Sequence, residues 1–131
     1  MRRDMELVRK VLFLIEERTE LDSSVCIEGY SSGDIGRHCS MMYEYGLIKN
    51  FSALAAADDP YYHFSANGLT WEGFDFLDKI RDEGIWQKTV KTIAKKGLDM
   101  SIKTIGTIAT AFITAAAEGA VSAIMKNGGE I

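Results

Sequence analysis

Arg37, His38, Ser40 and Met41 lie in one short run, Asp34 to Ile48, in which apolar residues recur at Ile35, Cys39 and Met42. That spacing predicts a helix with Arg37, Ser40, Met41 and Glu44 on its outer side and His38 flanking them. An arginine so placed can pair with guanine in a major groove, and a serine can reach a phosphate or base edge. Gly46 stops the helix, because helices commonly end on a residue at positive φ, which disfavours any side chain with a Cβ. Leu47-Ile48 then open an extended segment. A helix, a glycine stop and a strand with a polar tip is the order in which the third helix of many winged helix-turn-helix domains runs into its wing. The expected fold is α+β and mainly helical, a winged helix-turn-helix-like domain with a long C-terminal helical extension.

The wing is a predicted hairpin. Leu47 to Leu54 reads as one strand, Ala55 to Pro60 as a tip ended by the proline, and Tyr61 to Phe64 as the returning β-prone run. Asn50, Ser52 and His63 on this hairpin, with Arg2 and Arg3 at the start of the chain, complete the candidate DNA contacts. Charge weighs against them. The 131 residues carry a net charge of −4, all of it before Thr70, and the suspected reading helix holds one arginine and one glutamate. Non-specific affinity for nucleic acid rests on lysine and arginine displacing counterions. There is also little room for a separate helix between Gly29 and Ile35.

Other chemistry lacks its constellations. Two cysteines, Cys26 and Cys39, and two histidines, His38 and His63, match no metal-ligand spacing. Free thiols in a reducing cytoplasm are the expected state, since no signal peptide is evident. Cys39 falls on an apolar helix side, not the electropositive, exposed setting that activates a thiol. No phosphate-cradling loop, paired catalytic carboxylates or nucleophile elbow is present. The reading is therefore of a cytoplasmic protein that is not an enzyme and needs no cofactor.

The elements that position these residues follow from periodicity. Asp4 caps a first helix running to about Glu20, with Leu7, Val8, Val11, Leu12 and Ile15 on its apolar face and Arg9 mostly off it. Val25-Cys26-Ile27 reads as a small strand, and Ser31, Ser32 or Asp34 caps the next helix. Thr70 caps a helix beginning at Trp71, in which Trp71, Phe74, Leu77 and Ile80 are expected to pack inward. Phe76, Ile85 and Trp86 widen its apolar surface, and Gly84 loosens it before a continuation to Lys96. Lys88, Lys91 and Lys95 form a stripe on that continuation, with Lys96 and Lys103 nearby. The stripe reads as a solvated face whose long stems cover apolar surface, rather than a surface for phosphate or membrane.

A final helix is predicted from about Asp99 to Met125, followed by a frayed tail from Asn127 to Ile131. Ile105, Ala109, Phe112 and Ala116 lie within one apolar face, and Ala111, Ala115, Gly119 and Ala123 recur every four positions. Small residues at that spacing let two helix backbones approach closely. Only Glu118 is charged between Thr104 and Met125, so length alone would permit a membrane span. Threonine, serine and glutamate opposite the isoleucines favour an amphipathic helix instead. It either packs on its own domain or, as preferred here, makes a homodimer through Ile105, Ala109, Phe112, Ala115, Ala116 and Gly119. The two parts are thus residues 1–97 and 98–131.

Several fragments together carry a family likeness: Arg3-Asp4-Met5-Glu6-Leu7-Val8-Arg9, Ile35 through Ile48, Leu69-Thr70-Trp71-Glu72-Gly73, Phe76-Leu77-Asp78, Ile80-Arg81-Asp82 and Trp86. With them the chain, from its start to about Lys95, resembles the domain-of-unknown-function family 2513 of bacteria and prophages. The resemblance implies a winged-helix-like fold and supplies no activity. Phe74 stands where that family usually has a polar residue, and the final helix is more apolar than the family suggests. The leading expectation is a DNA-binding transcriptional regulator of bacterial or phage origin. The alternative is a protein-interaction module on the same scaffold, such as a phage factor that occupies a host protein. Membrane association through the last helix is the third.

Overall fold

A computed structural model describes residues 1–18, 24–56 and 59–126. Among them the chain forms α1 (Met5–Glu17), α2 (Ser32–Tyr45), β1 (Ile48–Ala56), β2 (Asp59–Leu69), α3 (Trp71–Ile80), α4 (Glu83–Lys96) and α5 (Ile102–Lys126). The fold is mainly helical α+β, with one antiparallel two-stranded sheet. It divides into two compact units, Met1–Leu77 and Asp78–Ile131, so that α4 falls in the same unit as α5. The last residues expected in the first helix, the hairpin tip at Ala57-Asp58 and the tail from Asn127 lie outside the described residues.

In the first unit, α1 begins where the sequence signals. The Asp4 carboxylate accepts hydrogen bonds from the backbone N–H groups of Glu6 (2.9 Å) and Leu7 (3.2 Å), satisfying donors that a helix start leaves open. Met5, Leu7, Val8, Val11, Leu12 and Ile15 are buried, and so is Arg9, which was expected off that face. Its guanidinium lies 4.9 Å from the ring centroid of Phe13, one turn on, so its charge meets an aromatic face while its stem packs.

Ser31 is the residue that caps α2, its hydroxyl accepting from Asp34 N–H at 3.1 Å. At the other end Gly46 adopts φ 105°, and its N–H reaches the carbonyls of Met42 and Tyr43. The predicted strand at Val25–Ile27 does not form: among the described residues β1 and β2 pair only with each other, and Val25 is instead buried as a single side chain. The hairpin is longer than expected. Pro60 lies inside β2 rather than ending a tip, a position that suits a two-stranded sheet, where each strand keeps one edge unpaired.

The hairpin closes on itself at its base. Thr70 donates its hydroxyl to the Gly46 carbonyl, and Thr70 N–H donates to the Leu47 carbonyl at 3.0 Å. The same hydroxyl accepts Gly73 N–H at 2.9 Å, which makes Thr70 the cap of α3. A Cβ on Gly73 would collide with the Leu47 carbonyl, so this face of α3 must meet backbone. Residues three, four and seven positions on share that face, and Phe76, Leu77 and Ile80 are the buried ones. Trp71 and Phe74 consequently point outward, contrary to the packing expected of them.

Within the second unit, the helix is interrupted at Arg81-Asp82, ahead of Gly84, and Asp82 caps α4 by accepting Ile85 N–H at 2.8 Å. Trp86, Thr89 and Ile93 are buried on α4, and Ile105, Gly106 and Ala109 on α5. Gly97, at φ 65°, ends α4. From Ile113 to Lys126 every residue of α5 is exposed. A helix can remain regular there because alanine has the highest intrinsic helix propensity.

Candidate functional site

Of the residues proposed to read DNA, His38 is removed by the structure. It is 1% exposed. Its Nε2 accepts the backbone N–H of Asp4 at 2.9 Å, and its Nδ1 lies 2.7 Å from the Asp34 carbonyl. Because Nε2 must accept, the ring proton sits on Nδ1 and is donated to Asp34. His38 therefore joins α2 to the start of α1. The signal was present in the sequence, since His38 lies three residues after Ile35 and four before Met42, on the apolar stripe. Tyr30 belongs to the same corner. Partial burial raises its phenol above the usual range, followed by the Asp4 and Glu6 carboxylates and a hydrogen bond to Asp4.

The remaining α2 candidates stay on the surface. Arg37 is exposed and lies 3.9 Å from the Asp34 carboxylate, one turn away, while Ser40 and Met41 are half-buried. Arg2 and Arg3 are exposed at the chain start. The hairpin register gathers other candidates. Asn50 faces Asn67 and Ser52 faces Ser65, with side-chain hydrogen bonds of 2.8 and 2.9 Å, and Leu54 faces His63. Asn50, Ser52 and His63 thus share one exposed face, with a depression at its base lined by Lys49, Asn50, Asn67 and Gly68.

The opposite strand positions carry aromatics. Phe51 lies 6.2, 6.4 and 6.3 Å from the ring centroids of Tyr43, Tyr61 and Phe64, tying α2 to the hairpin. Gly36 permits this approach, since a Cβ there would stand 2.7 Å from the Cβ of Tyr61.

A surface that the sequence did not single out lies at the base of the hairpin. The bond between Thr70 and the Gly46 carbonyl brings together the end of α2 and the start of α3. The immediate neighbours of these two residues are Tyr45, 60% exposed, and Trp71, 76% exposed. Phe74, one turn further along α3, is 43% exposed. Glu44, Glu72 and Asp75 are exposed beside them. Three exposed aromatic side chains and three exposed carboxylates thus occupy neighbouring positions at the end of α2 and the start of α3. The signal for this in the sequence was Gly73, whose need for backbone contact decides which side of α3 faces in.

Cys39 is fully buried, and burial pushes its thiol up to about 12, with Arg18 pulling weakly the other way. Cys26 is exposed. Among the described residues no cluster of three or more metal-ligating side chains occurs. Of the positions expected to mediate self-association, Ile105 and Ala109 are buried, Phe112 is half-buried, and Ala115, Ala116 and Gly119 are exposed.

The features above define a small helical module whose central hairpin is bracketed by α2 and α3. The chain belongs to the family described as hypothetical protein (DUF2513), which matches residues 2–99 and so ends before α5. An uncharacterized protein of Haemophilus influenzae is 30% identical over 119 residues, which cover 87% of this chain and 97% of that protein. That span is longer than residues 2–99 and therefore runs on into α5. No solved structure gives a significant match.

Proposed function

We infer that Met1–Leu77 is a winged-helix-like protein-recognition module whose contact surface is the aromatic junction between α2 and α3. The observation that carries this reading is Trp71, 76% exposed at the capped start of a helix that its own backbone contacts hold in place. Tryptophan and tyrosine dominate the energetics of protein interfaces because a rigid ring buries much area at little entropic cost. Glu44, Glu72 and Asp75 favour a partner with a basic rim around an apolar pocket. The acidic balance of this half of the chain agrees with such a partner and opposes a phosphate backbone.

A DNA-binding regulator is the second reading. The exposed face shared by Asn50, Ser52 and His63, with Arg37 on α2, favours it. One pair of measurements separates the two. The full chain is titrated against mixed DNA fragments by fluorescence anisotropy at low and physiological salt, and a photo-crosslinking amino acid at position 45 is activated in cells. The protein-recognition reading expects no salt-sensitive DNA binding, and a crosslinked protein that Trp71→Ala abolishes while circular dichroism stays unchanged. Salt-sensitive DNA binding that Arg37→Ala removes, with Trp71→Ala inert, would replace it by the regulator reading.

A further inference from the structure

We propose that the unit Asp78–Ile131 is a peripheral membrane-attachment element: Lys88, Lys91, Lys95 and Lys96 of α4 take anionic phospholipid headgroups, and the exposed part of α5 enters one leaflet. Two independent observations in the same unit carry it. The first is apolar exposure. α5 is long and apolar enough to qualify as a membrane span, yet little of its most apolar stretch is buried. A core helix of such composition would be covered. Here the face that buries Ile105 and Ala109 continues through Ile113, Ala116, Ala120 and Ile124, which are all exposed. Val121 and Met125 lie off that face and are exposed too, so the last turns are apolar over most of their circumference.

The second observation is charge. The four lysines are exposed on α4, and the sequence holds no acidic residue between Glu83 and Asp99. A lysine near an anionic surface contributes attraction within a Debye length. Helix attachment to a membrane surface strengthens with buried apolar area and with attraction to anionic lipids. α4 supplies the second and α5 the first.

Geometry selects one leaflet over a full span. The first two turns of α5 hold its buried residues and Phe112 is half-buried, which leaves Ile113 to Lys126 exposed throughout, about 21 Å of helix at 1.5 Å per residue. The hydrocarbon core is about 30 Å thick. Glu118 and Ser122, on the polar side, stay at the level of the headgroups if the helix enters obliquely. A second copy of α5 is a weaker occupant. A helix face about 21 Å long and about 10 Å wide offers on the order of 200 Å², against about 800 Å² per partner in a standard interface.

The test is co-sedimentation of the full chain with vesicles of phosphatidylcholine alone or with added phosphatidylglycerol, at low and high salt. Protein should pellet with phosphatidylglycerol vesicles at low salt and be partly released by high salt. The variant with Lys88, Lys91, Lys95 and Lys96 changed to Gln should partition on the order of tenfold less or worse. Ile113→Ser with Ile124→Ser should also reduce pelleting, with helical content retained by circular dichroism. Three results would overturn the proposal. One is no pelleting with either vesicle; another is equal pelleting with both that ignores the lysine changes. The third is a stable dimer in vesicle-free buffer that the isoleucine changes convert to monomer while leaving membrane partitioning untouched.

Discussion

Replacing His38 tests whether the most reactive-looking side chain on α2 is structural. The ring is 1% exposed and engaged at both nitrogens, 2.9 Å from Asp4 N–H and 2.7 Å from the Asp34 carbonyl. In His38→Ala the Asp34 carbonyl keeps its helical partner, but the Asp4 N–H is left without the acceptor that pins α1 to α2. The part-buried Asp4 N–H loses a hydrogen bond worth about 0.5–1.5 kcal/mol, and the vacated volume of the buried ring adds a cavity term, for a total of about 2–3 kcal/mol. Arg37→Ala, one position earlier on the exposed side, should stay within about 0.5 kcal/mol. Urea titrations followed on the amide resonances of α1 and α2 measure both. Long-range nitrogen–proton correlation of the imidazole should find the proton on Nδ1 and Nε2 bare. A proton on Nε2 at neutral pH, or a His38→Ala loss no larger than that of Arg37→Ala, would refute the reasoning.

The glycines of α2 and α3 should respond in opposite directions. Gly73→Ala gains helix propensity of about 1 kcal/mol but drives a Cβ into the Leu47 carbonyl, so a net loss of about 2–4 kcal/mol is expected from urea unfolding. Gly33→Ala, with nothing within 4 Å of its Cβ, should stabilise by about 0.5–1 kcal/mol in the same assay. With burial holding the Cys39 thiol up at about 12, Cys26 should react with a thiol reagent at pH 8 while Cys39 reacts only on unfolding. The sign for stability follows: the neutral thiol is favoured in the fold, so its contribution is complete below pH 9 and is lost as pH rises towards 12, which a series of alkaline urea titrations would follow.

Much of the first unit was legible because its signals are local. Asp4, Ser31 or a neighbour, Gly46 and Thr70 mark helix ends by chemistry that acts within a few residues, and each end lies where that chemistry puts it. The family likeness was legible in the same way, from short fragments that occur together. What failed depended on contacts distant in sequence. α3 has apolar residues on two sides, and only the approach of Gly73 to Leu47 decides that Trp71 faces solvent. Val25-Cys26-Ile27 has strand composition, but a strand needs a partner edge, and no residue in the run specifies one. His38 lacks any partner constellation in the sequence, which favours a bond within the fold, and its position on the helix stripe points the same way; only its place among the DNA contacts ran against both. For α5 the pattern of faces was readable, whereas the exposure beyond Phe112 was not, because periodicity tells which residues share a side and not whether anything covers it.

The closure at Thr70 has one more consequence. Its bonds to Gly46 and Leu47 join the two ends of the hairpin before either strand has travelled far, so the register from Ile48 and Leu69 outward starts from a fixed frame. Lengthening both strands beyond Leu54 and His63 would then move only the far end of the arm. Loop closure costs grow slowly with added residues. Within one family, relatives can therefore carry hairpins of different reach on an unchanged base, and an epitope grafted at the far end would report on the surroundings without loosening the helices that hold the arm.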